Sequence, residues 1–285
     1  REAVPSWAMA LLLCLVSLTA DKSLCESASR TQLPDSGNVL GSMRTITRVT
    51  VSSLVVIVAL RLGQWNFASC KDAFFNRAIA AVLSNLARHD LENLHWSAAS
   101  RTLELSQLLA RNELKDRAKA AGDAADSHVA DRRRRVMIRD MLQALVRMIS
   151  GCLVLPGIIK NCTLVYALQR QYPDKFAELE EDAALGPHLK QIRAVVDWFE
   201  AQCPSLDGND DSDDQIVRLE AAAKRIPSEF EAMVASTPGA GGFAYAETAG
   251  ASAYFLPAVW QAASQLLPPN ICWSPPRATA ASPAQ

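Results

Sequence analysis

The sequence predicts an all-α fold. Apolar residues recur at i, i+3 and i+4 in one helix-sized stretch after another. No stretch alternates apolar and polar residues between hairpin turns, as a half-buried strand would. Short breaks rich in Pro, Gly, Asn or Asp separate the periodic segments. Helix–loop–helix units following one another without heptads suggest an armadillo- or HEAT-like α-solenoid of irregular helical hairpins. The pairs share no tight sequence repeat, so this expectation rests on the pattern alone.

In chain order, residues 7–18 are apolar all round and read as a buried helix. Residues 23–38, with several Ser, Pro34 and Gly37, contain a loop. Residues 41–67 read as one long helix broken near Gly63. In 74–87, Phe75, Ile79, Val82, Leu83 and Leu86 fall on one face; in 97–111, Leu103, Leu105, Leu108 and Leu109 mark another helix. Residues 112–135 are charged and Ala-rich and end in four arginines, Arg132 to Arg135. They read as a solvated linker or a weak helical extension. A helix follows over 136–155, with Ile138, Met141, Leu142, Leu145 and Ile149 on one stripe, and Pro156-Gly157 stops it. Residues 161–172 form a short helix that Asn161 can cap. Residues 187–202 align Leu189, Ile192, Val195, Val196 and Phe199. An acidic loop at 207–214 precedes a last clear helix at 215–226. The predicted organisation is a helical repeat region (1–111), a charged linker or loop (112–135), a second helical repeat region with an aromatic capping segment (136–265) and a disordered Pro/Ala-rich tail (266–285).

Lys and Arg number 29 against 30 Asp and Glu, a net charge of −1. That offers no basic face of the extent nucleic-acid phosphates require, so no nucleic-acid partner is expected. The seven cysteines are odd in number and include no CxxC pair, which points to a reduced, cytosolic chain. The apolar runs 7–18 and 51–60 are shorter than the roughly 20 residues a membrane span needs. The chain opens on Arg1 and reads as part of a longer protein.

Chemistry-bearing motifs are scarce. His89 and His95 lie six residues apart, the wrong spacing for two ligands on one helix face, and nothing suggests a metal or a cofactor. No GxSxG surrounds a serine. Gly239, Gly241 and Gly242 lack the Lys-Ser/Thr of a phosphate loop. Cys162 and a histidine could form a nucleophile pair only if the fold brought them together. Asn161-Cys162-Thr163 fits a glycosylation sequon, but the helix cap is the preferred reading. Arg132–Arg135 could touch anionic lipid heads, although a solvated helix entrance is the simpler reading.

One feature remains unusual: Phe243, Tyr245, Phe255 and Trp260, with Pro257, crowd a segment where chains normally turn polar. Two roles are open for these residues, capping the end of a helical stack or docking a partner.

Ordered blocks along the chain carry a resemblance. They are Ala8 to Thr19, Val51 to Trp65, Ala81 to Leu86, Leu91 to His95, Ala98 to Arg101, Leu108-Leu109, Asn161 to Arg170, Phe176, and Ile192 to Phe199. The closing block is Phe243-Ala244-Tyr245, Glu247, Tyr254 to Pro257 and Val259-Trp260, with Trp273 and Pro275 after it. Together, over about residues 6–275, they resemble the dymeclin family. Ala258 stands where the family's closing signature has Tyr, and neither 112–135 nor 276–285 matches anything in it. The resemblance implies a helical, non-enzymatic cytoplasmic protein peripherally associated with the Golgi, a scaffold or adaptor in Golgi organisation and vesicle traffic. Its partners would be proteins of the trafficking machinery, and a family myristoyl site would lie upstream of Arg1. A structural component acting by lipid contact, or a Cys/His-dependent enzyme, are the alternatives.

Overall fold

In the computed structural model the described residues are 3–33, 49–89, 91–122, 129–204 and 212–235. Their elements are α1 (Ser6–Thr19), α2 (Lys22–Arg30), α3 (Val51–Trp65), a π-helical turn (Asn66–Cys70), α4 (Ala73–Arg88), α5 (Trp96–Gly122), α6 (Val129–Cys152), α7 (Gly157–Lys160), α8 (Cys162–Arg170), a 3-10 turn (Asp174–Leu179), α9 (Gly186–Gln202), α10 (Ser212–Ala223) and α11 (Ser228–Ala235). The fold is all-α. Among the described residues the extended pairing noted is one antiparallel bridge, Gln32 to Thr50.

α4 is the central element. Every residue from Ala78 to Ala87 is buried, and so are Phe75 and Asn76. The face carrying Phe75, Ile79, Val82, Leu83 and Leu86 is inside, as its spacing predicts. The opposite face is Ala and Ser, small enough for helices to approach it as well. Gly151 of α6 completes that approach: a Cβ there would lie 3.4 Å from the Ala87 carbonyl oxygen. Each large apolar side chain buried here stabilises the fold by about 1.5–3 kcal/mol relative to exposure.

Helices meet in two successions. α1 lies against α4, α4 against α6 and α6 against α9. Alongside, α3 lies against α5, α5 against α8 and α8 against α10. The predicted stripes of α6 and α9 are buried throughout, from Ile138 to Ile149 and from Leu189 to Phe199.

Several expectations are corrected. α1 is not buried all round: Ala8, Leu12 and Val16 face the core, while Trp7, Leu11 and Leu18 are exposed. A continuous apolar run conceals which face has a neighbour. α2, which the sequence reading did not place, fills the first part of the stretch expected to contain a loop, because Asp21 caps it by accepting the Leu24 N–H at 3.1 Å; Pro34 and Gly37 lie outside the described residues. α3 passes through Gly63 without a break; the glycine instead gives room to the Met141 side chain, 3.4 Å from where a Cβ would stand. The α3 axis with its π turn, Val51–Cys70, is therefore 20 residues long and, by length and composition alone, sufficient to cross a membrane. Here Val56, Ile57, Ala59 and Leu60 are buried within the fold, and the helix packs on α4 and α5.

Of the two readings of 112–135, the described part follows the helical one: α5 continues to Gly122 and α6 already begins at Val129. Nor is it wholly solvated, since Glu113 is buried. α6 stops at Cys152, four residues before Pro156. α10 starts at Ser212, inside the predicted acidic loop, and α11 follows Pro227 where no helix was expected.

Candidate functional site

A groove of about 960 Å³ opens where the π turn, the start of α4, the middle of α5 and the start of α6 converge. Its apolar lining includes Phe67, Leu105, Leu108, Leu109 and Val136. Leu105, Leu108 and Leu109 share one face of α5. Leu108, one of the leucines that mark this helix in the sequence, is 53% exposed, and Val136 is 41% exposed. Among the described residues, Lys71, Arg77, Arg132, Arg133 and Arg134 also line the groove, against one carboxylate, Asp72.

Local structure explains this crowding of cations. After Trp65 the helix widens into the π turn, and Lys71 ends it in the left-handed region, at φ 56°. π turns recur at functional sites. Asn66, fully buried, locks the corner: its Nδ2 donates to the Asp72 carbonyl at 2.8 Å and its Oδ1 accepts the Asp72 N–H at 2.9 Å. Asp72 then caps α4 by accepting the Phe75 N–H at 2.8 Å. From the other side, Asn76 of α4 donates to the Met137 carbonyl of α6 at 3.0 Å. This bolt sets α6 beside α4 with Arg132, Arg133 and Arg134 exposed. Arg77 reaches Asp140 at 3.6 Å, and burial raises the Asp140 carboxyl above its ordinary range despite that partner.

The two long walls, α5 and α6, are tied below the groove by an ion network. Arg117 and Arg139 both bind Glu113, at 3.0 and 2.9 Å. Both also bind Asp182, Arg139 at 3.0 Å. The two carboxylates are buried and the two guanidinium groups lie at the edge. Asp182 in addition accepts the N–H groups of Ala184 and Leu185, at 2.9 and 3.1 Å. Burial works against its charge, but these N–H donors and Arg117 outweigh it and hold the carboxyl at about 2. With the folded value below the ordinary 3.8, this stability is present above pH 4 and is lost as pH falls through 2. Asp182→Asn should lower unfolding free energy at pH 7 by about 2 kcal/mol. The deficit should shrink between about pH 4 and pH 2, as read by urea unfolding across pH; a pH-independent deficit would refute the assignment.

A second polar knot fixes the 91–95 connection. Asn161 occupies the N-cap position of α8 but makes no capping bond with its side chain. Being fully buried, it clamps two other segments instead. Its Oδ1 accepts the Leu94 N–H at 3.0 Å, and its Nδ2 donates to the carbonyls of Leu91 and Gly157 at 2.7 and 3.1 Å. The cap expectation is thus corrected: the tertiary acceptors have captured the amide. Full burial also closes the sequon in the folded chain. From α3, Ser53 Oγ accepts the His95 N–H at 3.0 Å and donates to the Asn93 carbonyl at 3.3 Å.

Cys162 meets the carbonyls of Ile158 and Ile159 rather than forming a described bond to a histidine. Burial pushes its thiol up to about 12, as it does Cys152, and pushes Cys25 to about 11. Those are shifts away from the reactive thiolate. The fold does join a pair that sequence reading missed, Ser150 of α6 and His188 of α9, 3.0 Å apart. The Ser150 hydroxyl donates to Gln191 Oε1 at 2.5 Å, so His188 Nδ1–H is the donor to Ser150. Both residues are buried, and burial with nearby Arg147 lowers the imidazole's pKa. The arrangement is an interhelical latch. No group of His, Cys, Asp and Glu suited to a metal ion occurs among the described residues. Phe243, Tyr245, Phe255, Pro257 and Trp260 lie outside the described residues.

Comparison with known proteins settles the lineage. The family model Dymeclin (Dyggve-Melchior-Clausen syndrome protein) matches residues 5–262. The chain belongs to the dymeclin family. It is 23% identical to the dymeclin of Gallus gallus over 224 residues, 76% of this chain and 32% of that protein. Against the Xenopus laevis dymeclin it is 23% identical over 225 residues, again 76% and 32%. Against the Rattus norvegicus dymeclin it is 24% identical over 168 residues, 56% and 24%. The chain thus spans about a third or less of the length of these relatives. No solved structure matches it. The dymeclin match takes in the closing aromatic block but ends before Trp273 and Pro275.

Proposed function

We propose that this chain is a helical scaffold segment of dymeclin type, acting by binding protein partners in Golgi organisation and vesicle traffic and catalysing no reaction. The observation that carries this reading is the family match over residues 5–262. The two successions of neighbouring helices support an armadillo/HEAT-like stack, an architecture whose long surfaces suit partner binding. The groove supplies such a surface, and the buried thiols offer no activated nucleophile in its support or elsewhere among those shifted. Recruitment to the cytoplasmic face of the Golgi would draw on a lipid anchor in another part of the protein, reinforced by partners, since a single acyl chain binds membranes only marginally.

Proximity labelling in cells tests the proposal. The full-length protein should label Golgi and vesicle-tethering proteins, and this 285-residue chain alone should retain part of that set. Labelling that never enriches Golgi proteins would overturn it. The exposed Arg132, Arg133 and Arg134 favour a second reading, direct contact with anionic lipid. Liposome flotation separates the two, because binding driven by charge should fade as ionic strength rises.

A further inference from the structure

We propose that the groove between α5 and α6 receives the apolar face of an amphipathic helix whose flanks are acidic, contributed by a protein partner. This rests on the scaffold reading and assigns that scaffold a docking site.

The lining has the two parts such a helix requires. Leu108 of α5 and Val136 of α6 are exposed in the lining, Phe67 of the π turn is half-buried, and the buried Leu105 and Leu109 back them. Leu108 and Val136, 53% and 41% exposed, line the same groove and leave apolar surface there without a cover among the described residues. Helix-in-groove recognition uses such a surface, filled by side chains at i, i+3, i+4 and i+7 of the incoming helix. A volume of about 960 Å³ accommodates the side chains of roughly two turns.

Charge selects the occupant. Among the described residues lining the groove, Lys71, Arg132, Arg133 and Arg134 outnumber the carboxylates. Asp72 is committed to the cap of α4, and Arg77 is shared with Asp140. Glu and Asp on the flanks of the incoming helix would meet these cations, whereas Lys there would be repelled, so the rim discriminates by sign. The chain's own acidic stretch at 207–214 does not suit the role, because it carries no apolar side chain to fill the lining. A bilayer could reach the arginines, but its surface is too broad to follow the concave lining between two helices. The apolar lining distinguishes the site from a phosphate-binding patch, which needs cations alone.

The test uses the whole 285-residue chain and three probes. The first is a fluorescein-labelled helical peptide with Leu at i, i+3, i+4 and i+7 and Glu on both flanks. The second is the same peptide with Lys replacing Glu. The third is phosphatidylserine-containing vesicles. Anisotropy should show the Glu peptide binding at least about tenfold tighter than the Lys peptide. Leu108→Glu should weaken the Glu peptide by about tenfold, and the triple change R132E, R133E, R134E should reverse the preference between peptides. All four positions are exposed, and circular-dichroism melts should confirm that the variants remain folded. Equal affinity for the two peptides overturns the proposal, as does a Leu108→Glu variant that binds as well as the parent. Vesicle binding without peptide binding overturns it in favour of lipid. Peptide failure with Golgi labelling intact removes the groove and leaves the scaffold; peptide binding without Golgi labelling leaves a docking groove on a protein that works elsewhere.

Discussion

Replacing Asn161 with aspartate is expected to cost about 4 kcal/mol or more of unfolding free energy at neutral pH, measured by urea denaturation. The side chain is fully buried and serves as acceptor and donor at once. Its Oδ1 takes the Leu94 N–H, while its Nδ2 supplies protons to the Leu91 and Gly157 carbonyls. A carboxylate preserves the first bond and turns both others into oxygen facing oxygen. It also places a charge where no cation is hydrogen-bonded to it. Asn161→Ala removes the clamp without adding a charge and should cost less, about 2–3 kcal/mol, from N–H and C=O groups left unpaired. The order of the two variants is the decisive reading. Burial would raise the introduced carboxyl's pKa, so lowering the pH through that value should restore a donor and narrow the gap between variants. An aspartate variant as stable as the alanine one at pH 7 would contradict the clamp.

Gly186→Ala should lower the melting temperature by about 10 °C, corresponding to about 3 kcal/mol. Gly186 opens α9, and a Cβ there would stand 2.2 Å from the Glu180 carbonyl oxygen and 3.1 Å from its carbon. Both are backbone atoms, so no rotamer change relieves the clash. The turn cannot readily part either, because the Gly186 N–H donates to the Asp182 carbonyl at 2.7 Å. Moving that turn would also disturb Asp182 and through it the arginines that join α5 to α6. Gly63→Ala is the internal control. Its nearest atom is the terminal methyl of Met141, at 3.4 Å, which can swing aside. The Gly63 variant should melt within a few degrees of the parent; equal losses at both glycines would remove the argument from backbone proximity.

The groove depends on the same tertiary ties. Its walls are separate in sequence, Gln64 to Arg77, Leu105 to Asn112 and Arg132 to Ile138. Asn76 bolts α4 to α6, and Glu113, Arg117, Arg139 and Asp182 hold α5, α6 and the approach to α9 in register. Substitutions in the network should therefore affect docking indirectly, through the spacing of the walls.

Sequence by itself determined that this protein is helical, where α4, α8 and α9 run, which stripe of α6 is apolar, and which family it joins. Those properties follow from local period and from the order of short blocks: Phe75 to Leu86 and Leu189 to Phe199 repeat at the spacing of a helix whichever neighbours they meet. Only the tertiary structure decided which apolar residues would lack cover. Leu108 and Leu109 are adjacent and identical in type, yet one is half exposed and the other 2% exposed. It likewise turned Asn161 from a cap into a clamp and drew Glu113, from a charged stretch read as a solvated linker or a weak helical extension, into a buried ion network. The physical reason is that exposure and hydrogen-bond partnership belong to pairs of segments. Asn161 and Leu94 are 67 residues apart, Arg117 and Asp182 are 65, and no window of sequence a helix long contains both partners.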